Sequence, residues 1–322
     1  MRSRLRWPRD IRTQRVYPGY LQIPASRGPN NGGGKVKQMI YTLTPSGGDD
    51  TAAIQAVLTA APDLSIVEIQ PGNYKITSGL VCLDKRLNIF AYGATFNWQG
   101  TNGTVLTVGF SPSSVIAGTS LGADWLIEGL TIHEVGNHEA YFLNTSTGLC
   151  VQNVFAGRFR DLDIDGFGTG LYVLGDGTGS TYSRYEMRQM LNNFTSLKTR
   201  ILNSGFTTEL TFVGGRWQYG PVGIGHTPTH VDILGPNVSG IRFLECSFEA
   251  TPGATWARIS KASYCNWINN RYESSDLSAL PIIIDSSCQK IDLLGGVDAD
   301  TLVNWQDGSG GTKDNRYLPR WH

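Results

Sequence analysis

The chain has 322 residues, 40% of them hydrophobic and 17% charged, with a formal net charge of +0. This length admits one large domain or two, and the neutrality excludes a global electrostatic pull toward nucleic acid or a membrane surface. It also conceals an asymmetry. Residues 1–37 hold nine Arg and Lys against Asp10 alone, a surplus of +8 that the remainder balances with −8.

Within 1–37, Pro8, Pro18, Pro24, Pro29 and the run Asn-Asn-Gly-Gly-Gly at 30–34 interrupt any regular element. Trp7, Tyr17, Tyr20, Leu21 and Ile23 are too apolar for a plain solvated tail. The segment reads as an extended basic arm that orders on a partner surface. No recognised nucleic-acid-binding fold accompanies its charges, so no nucleic acid is expected as a partner.

Residues 47–77 read GGDDTAAIQAVLTAAPDLSIVEIQPGNYKIT. Asp49, Asp50 and Thr51 supply oxygens suited to a helix start. Ile54, Val57, Leu58 and Ala61 then recur at the three-and-four spacing of one apolar face, and Pro62 stops the helix. A β-branched run at 66–69 follows, closed by Pro71-Gly72 and continued through Tyr74 and Ile76. The two motifs, G-D-D-T-x-A-I-Q and V-x-I-x-P-G-x-Y-x-I, resemble the opening of the pectate-lyase-like β-helix superfamily. That group includes phage tailspikes, polysaccharide lyases and polygalacturonase-like hydrolases. The resemblance implies an all-β protein with a single-stranded right-handed parallel β-helix over 38–297, and the helix capping its first coil. It implies little about chemistry, because one fold hosts many functions.

From Val81 onward, short apolar strands alternate with Gly, Asn, Ser and Thr, and an internal repeat emerges. IEGLTIH (127–133), FRDLDID (159–165), FVGGRWQ (212–218), FLECSFE (243–249) and WINNRYE (267–273) each open on a large apolar residue. Each carries another five positions later: Ile132, Ile164, Trp217, Phe248 and Tyr272. A base period near 24 residues, lengthened by excursions, suits one coil per repeat. The largest excursion falls at 175–196, where Tyr182, Arg184, Tyr185, Arg188 and Asn192 suit contact with sugar or a neighbouring subunit, or with solvent alone. A second, smaller one lies near 135–150. Residues 298–322 read as a tail whose Trp305, Tyr317, Leu318 and Trp321 cover the last coil.

Side chains alternate across a strand, so with the five anchors pointing inward their neighbours point out. The position after each anchor reads His133, Asp165, Gln218, Glu249 and Glu273; the position before reads Thr131, Asp163, Arg216, Ser247 and Arg271. Stacked coils lie about 4.8 Å apart, which brings Glu249 and Glu273 near the carboxylate separation of retaining glycosidases. They are the candidate catalytic pair, with Asp165 a further carboxylate two coils away. Arg216, Arg271, Asp163, Tyr182 and Tyr185 are the candidate substrate-binding residues. Asn270, two positions before its anchor, reads as a buried ladder residue. A solvated face of surface ion pairs is the competing interpretation, and in some β-helix lyases an Arg base beside bound Ca²⁺ does the chemistry. The polygalacturonase signatures are not present in order: the sole Asp-Asp pair is Asp49-Asp50, and Gly225-His226 reverses the His-Gly pair.

Cys82, Cys150, Cys246, Cys265 and Cys288 form an odd set without metal-ligand spacing, expected as buried thiols in a reducing compartment. No metal and no other cofactor is implied. The N-terminus lacks the apolar core of a signal peptide, and no stretch is long and apolar enough for membrane insertion. Together these features favour a phage tail spike or fibre subunit located in the virion. It would be a homotrimer, docked on tail adaptor or baseplate proteins through residues 1–37, gripping host surface polysaccharide with or without cleaving it. A free glycosidase or lyase, and a purely structural tail protein, are the alternatives.

Overall fold

The structure, a computed structural model, describes residues 39–112, 125–135, 145–219 and 227–319. The expected arm, Trp321 and most of the smaller 135–150 excursion lie outside them. The chain is an all-β parallel solenoid of about 10 turns. Every strand pairing is parallel, in two hydrogen-bonded sheets of 16 and 11 strands among the described residues. The larger sheet carries two files of strands side by side. Arg158–Asp165 shows why they merge: it pairs with Leu126–Glu128 through its first half and with Thr131–Glu134 through its second. The smaller sheet forms a third file on the other flank.

The inward positions explain the stacking. In the first file Phe159, Tyr185, Phe212, Phe243 and Trp267 lie face to face at successive centroid spacings of 4.8, 4.8, 5.1 and 4.9 Å. That is the coil repeat itself, so each ring buries its faces against the turns above and below. In the second file the anchors are register partners in unbroken order: Phe96, Ile132, Ile164, Met190, Trp217, Phe248, Tyr272. At the corner before the third file a threonine ladder runs through Thr104, Thr147, Thr169, Thr195, Thr229 and Thr255. All five cysteines are buried free thiols. Asn270 is fully buried, accepting from the Cys246 amide at 2.8 Å and donating to the Phe243 carbonyl at 3.2 Å.

The helix Thr51–Ala60 caps the first coil as expected, burying Ile54, Val57 and Leu58. Gln55 completes the cover. Its side chain accepts from the Val81 amide at 2.8 Å and donates to the Val81 carbonyl at 2.9 Å, satisfying the outer edge of the first strand of the smaller sheet. Lys85 Nζ donates to the Leu58, Thr59 and Ala61 carbonyls at the helix C-terminus.

Two expectations are corrected. Residues 175–196 are no excursion, because they supply most of one regular coil. Arg184–Leu191 pairs with Arg158–Asp165 on one side and with Thr211–Val213 and Arg216–Gln218 on the other. Residues 298–319 are likewise no separate cover. Val303–Asp307 pairs with Leu280–Ile284, and Arg316–Leu318 pairs with Asp292–Val297, continuing the solenoid. Trp305 and Tyr317 stack at 5.5 Å within that last coil. No helix among the described residues is long and apolar enough to cross a membrane.

Candidate functional site

The outward positions of the second file form one strip along the solenoid. Its two columns read Asn97, His133, Asp165, Leu191, Gln218, Glu249, Glu273 and Thr95, Thr131, Asp163, Gln189, Arg216, Ser247, Arg271. The coil 184–191 inserts Leu191 and Gln189, so Asp165 stands three coils from Glu249 rather than two. Leu191 also divides the strip into two polar centres.

The lower centre holds the predicted pair. Glu249 and Glu273 are register partners on adjacent coils. Arg216 donates to Glu249 Oε2 from Nε at 2.9 Å and from a terminal nitrogen at 2.8 Å. That hydrogen bond, with the charges of Glu249 and Glu273, pushes the Arg216 guanidinium above its ordinary range. Arg271 pairs with Glu273 on its own strand. A carboxylate occupied by two guanidinium N–H groups serves poorly as a general acid, since the proton it would deliver competes with those bonds. Beside the pair lies a cleft of about 130 Å³ lined by Gln218, Tyr219, Glu249, Ala250, Thr251, Glu273 and Ser275. Enclosed small-molecule sites run to roughly 300–1,000 Å³, so this one suits one residue of a longer polymer lying along the strip.

Behind Glu249, in the core, His230 stacks between Tyr219 at 3.9 Å and Trp256 at 5.7 Å. Its Nε2 lies 3.0 Å from the Glu249 carbonyl oxygen and its Nδ1 3.3 Å from Ser196 Oγ. Complete burial pushes the imidazole down to about 3, so it is neutral, and the Nε2–H tautomer donates to Glu249 from within.

The upper centre was assembled only in part from the sequence. Asp163 and Asp165 project from one strand, with His133 Nε2 3.5 Å from Asp165 and Asn192 donating to Asp165 at 3.0 Å. Asp163 is 6% exposed and accepts from Arg188 at 2.9 Å and Gln189 at 2.6 Å. Arg188 reaches it through paired irregularities that displace Asp161 and Arg188 from the ladder between the two strands. The same guanidinium donates to Thr131 at 2.7 Å and stands 3.9 Å from Asp161. Arg188 and Gln189 went unassigned because their segment had the polar composition of a loop. The five-residue spacing of inward Tyr185 and Met190 was the signal that could have found them.

Two predicted contacts are relocated. Tyr185 is fully buried in the aromatic stack and cannot touch a substrate, a direct consequence of its inward position. Tyr182 is 62% exposed, packed edge-on against Phe155 at 5.2 Å, but it follows the short strand Gly179–Thr181 at the edge of the smaller sheet, away from the second file. Among the described residues, no group of three or more His, Cys, Asp or Glu is placed to hold a metal ion.

No protein-family model matches the chain, and no curated protein matches its sequence. Among solved structures it is similar to ORF18 of Geobacillus virus E2, with a TM-score of 0.53 and 16% identity over 86% of this chain. The match spans 59% of that protein's length. At this identity the likeness shows a shared fold.

Proposed function

We propose that the chain is a virion tail spike or fibre subunit that grips host surface polysaccharide along the second file. The strip of paired outward positions carries this reading. It presents hydrogen-bonding groups at the coil repeat over seven coils, a length suited to an extended sugar chain rather than a small ligand. The solenoid fold and the phage-encoded structural neighbour support a virion setting. The test is binding of purified protein to capsular polysaccharide or lipopolysaccharide from the host. Glu249→Gln and Glu273→Gln keep side-chain shape and should weaken binding by about 1–3 kcal/mol each. Unchanged affinity in both would place the grip elsewhere.

Cleavage is the second reading, and Asp163 and Asp165 favour it. Strand geometry sets alternate residues roughly 6.6 Å apart, near the carboxyl separation of inverting glycosidases, and His133 faces Asp165. If the upper centre hydrolyses the polymer, Asp165→Asn should slow shortening by at least the 10²–10⁴-fold expected of a lost acid or base. If the lower pair does so, Glu249→Gln and Glu273→Gln should have that effect instead. Polymer length followed by size-exclusion chromatography separates these outcomes.

Three copies packed side by side complete the proposal. Trp98, Tyr219 and Trp256, which as sequence suggested surface for such packing, are core residues at 1, 3 and 1% exposure. A better surface is an outward apolar column of the first file, in which Val213, Leu244, Ile268, Leu294 and Leu318 are successive register partners. Outward strand positions in a soluble solenoid are ordinarily polar, so a column of five aliphatic residues suits a subunit contact. Ile268→Asp should convert trimers to monomers by light scattering. Docking of residues 1–37 on an acidic adaptor rests on their charge, and deletion of the arm should abolish incorporation into virions.

A further inference from the structure

A cleft of about 180 Å³ opens on the first file, lined by Asn88, Trp125, Leu126, Glu128, Arg158 and Arg160. Asn88, Leu126 and Arg158 are register partners on three successive coils, as are Phe90, Glu128 and Arg160, so the regular ladder places these groups together. Their charges are unevenly committed. Arg160 lies 3.2 Å from Glu128 and 3.7 Å from Glu186. Arg184, the register partner of Arg158 on the next coil, is held by Glu186 at 2.8 Å. Arg158 is exposed and has no hydrogen-bond or ion-pair partner among the described residues. Glu128 is the one carboxylate lining the cleft, against two guanidinium groups.

The second observation is Trp125. It is fully buried, it lines this cleft, and its Nε1 has no hydrogen-bond partner. An indole nitrogen is a donor only, and leaving a buried donor unmade is costly, so such groups call for an explanation. An acceptor oxygen seated at the cleft floor supplies the missing partner. A second oxygen of the same group then meets Arg158, whose planar fork matches a carboxylate. Glu128 remains as an acceptor for a neighbouring hydroxyl.

We propose that this cleft binds the carboxylate of an acidic sugar, anchoring a uronate residue of the polysaccharide beside the upper polar centre. Leu126–Glu128 leads within three residues into Thr131–Glu134, which carries Thr131 and His133. A uronate held here therefore leads its chain onto Asp163 and Asp165. The inference rests on the reading that this flank takes a polysaccharide, but it uses none of the lower-centre residues.

The test follows the indole N–H resonances of protein labelled with ¹⁵N at its eight tryptophans, during titration with tetragalacturonate. Trp125→Phe identifies the Trp125 signal. The expected result is a saturable shift of that signal, absent with the fully methyl-esterified tetramer and weakened at least about tenfold in Arg158→Gln. Arg158 is exposed and outside the core, so that variant keeps the assay valid even if Trp125→Phe folds poorly. No shift at saturating tetragalacturonate, or an equal shift with the ester, overturns the proposal. An equal shift with inorganic sulfate overturns the uronate assignment in favour of a general anion site. Polysaccharide binding that depends on Glu249 and Glu273 is read independently, so either result can fail without the other.

Discussion

His230 shows how the core bears on the surface strip. Its folded-state value near 3 lies below the ordinary 6.5 because burial disfavours the charged ring. The unfolded chain therefore takes up a proton that the folded chain refuses, and stability falls as pH drops from 6.5 toward 3. The slope is about 1.4 kcal/mol per pH unit from this group alone. Urea unfolding at pH 7, 5.5 and 4 should show it, and His230→Phe should flatten that part of the profile whatever it costs at pH 7. An identical slope in the variant would assign the acid sensitivity to other groups. The cysteines make a parallel case. Burial pushes the Cys82 and Cys265 thiols up to about 12, so a thiol reagent should label none of the five at pH 8 until denaturant is added. Rapid labelling of the native protein would contradict their placement. The Asp-Asp-Thr motif acts differently from a simple cap. Asp50 makes no side-chain cap bond to the helix; it accepts instead from the Ser46 amide at 2.7 Å and the Lys75 amide at 3.1 Å. Asp49 joins Thr51 to Thr77, and those hydrogen bonds from Thr51 and Thr77 hold its carboxyl below the usual carboxylate range. The motif thus sutures the helix to the first coil.

That suture gives the capping helix a measurable role. Gln55 satisfies both backbone groups of Val81, so Gln55→Ala should speed amide exchange at Val81 while leaving the Val108 amide, on the next coil inward, protected. Equal acceleration at both positions would mean that the helix holds the whole first coil rather than its edge. The helix and its following strands were legible because apolar residues recur with helical spacing and then alternate, with Pro62 and Pro71-Gly72 marking the change. Five coils were legible because bulky inward residues five apart stand out against polar neighbours. The coil 184–191 has the same spacing in Tyr185 and Met190, but outward Arg184, Glu186, Arg188 and Gln189 gave it the composition of a loop. Missing it misplaced Tyr185, shortened the distance from Asp165 to Glu249, and hid the displaced Arg188. The unpaired indole nitrogen of Trp125 had no sequence signature, since it depends on what the neighbouring coils leave unfilled.

Across the molecule, three surfaces divide the work: a polar strip on the second file, an apolar column and an anion cleft on the first. The solenoid makes such a division possible because each file repeats its outward residues at a fixed rise, so one substitution per coil builds a continuous face. Strip and cleft adjoin on the upper coils, where a polymer is proposed to enter. The apolar column runs through the lower coils, where neighbouring copies are proposed to pack. The assignment of the strip is tested most directly by hydroxyl-radical footprinting of the protein with and without host polysaccharide. Protection should fall on Thr131 and His133, Arg216 and Gln218, and the segments Ser247–Ala250 and Arg271–Glu273, at positions one coil apart. Protection confined to the smaller sheet, or to the first-file column of Leu244 and Ile268, would contradict it.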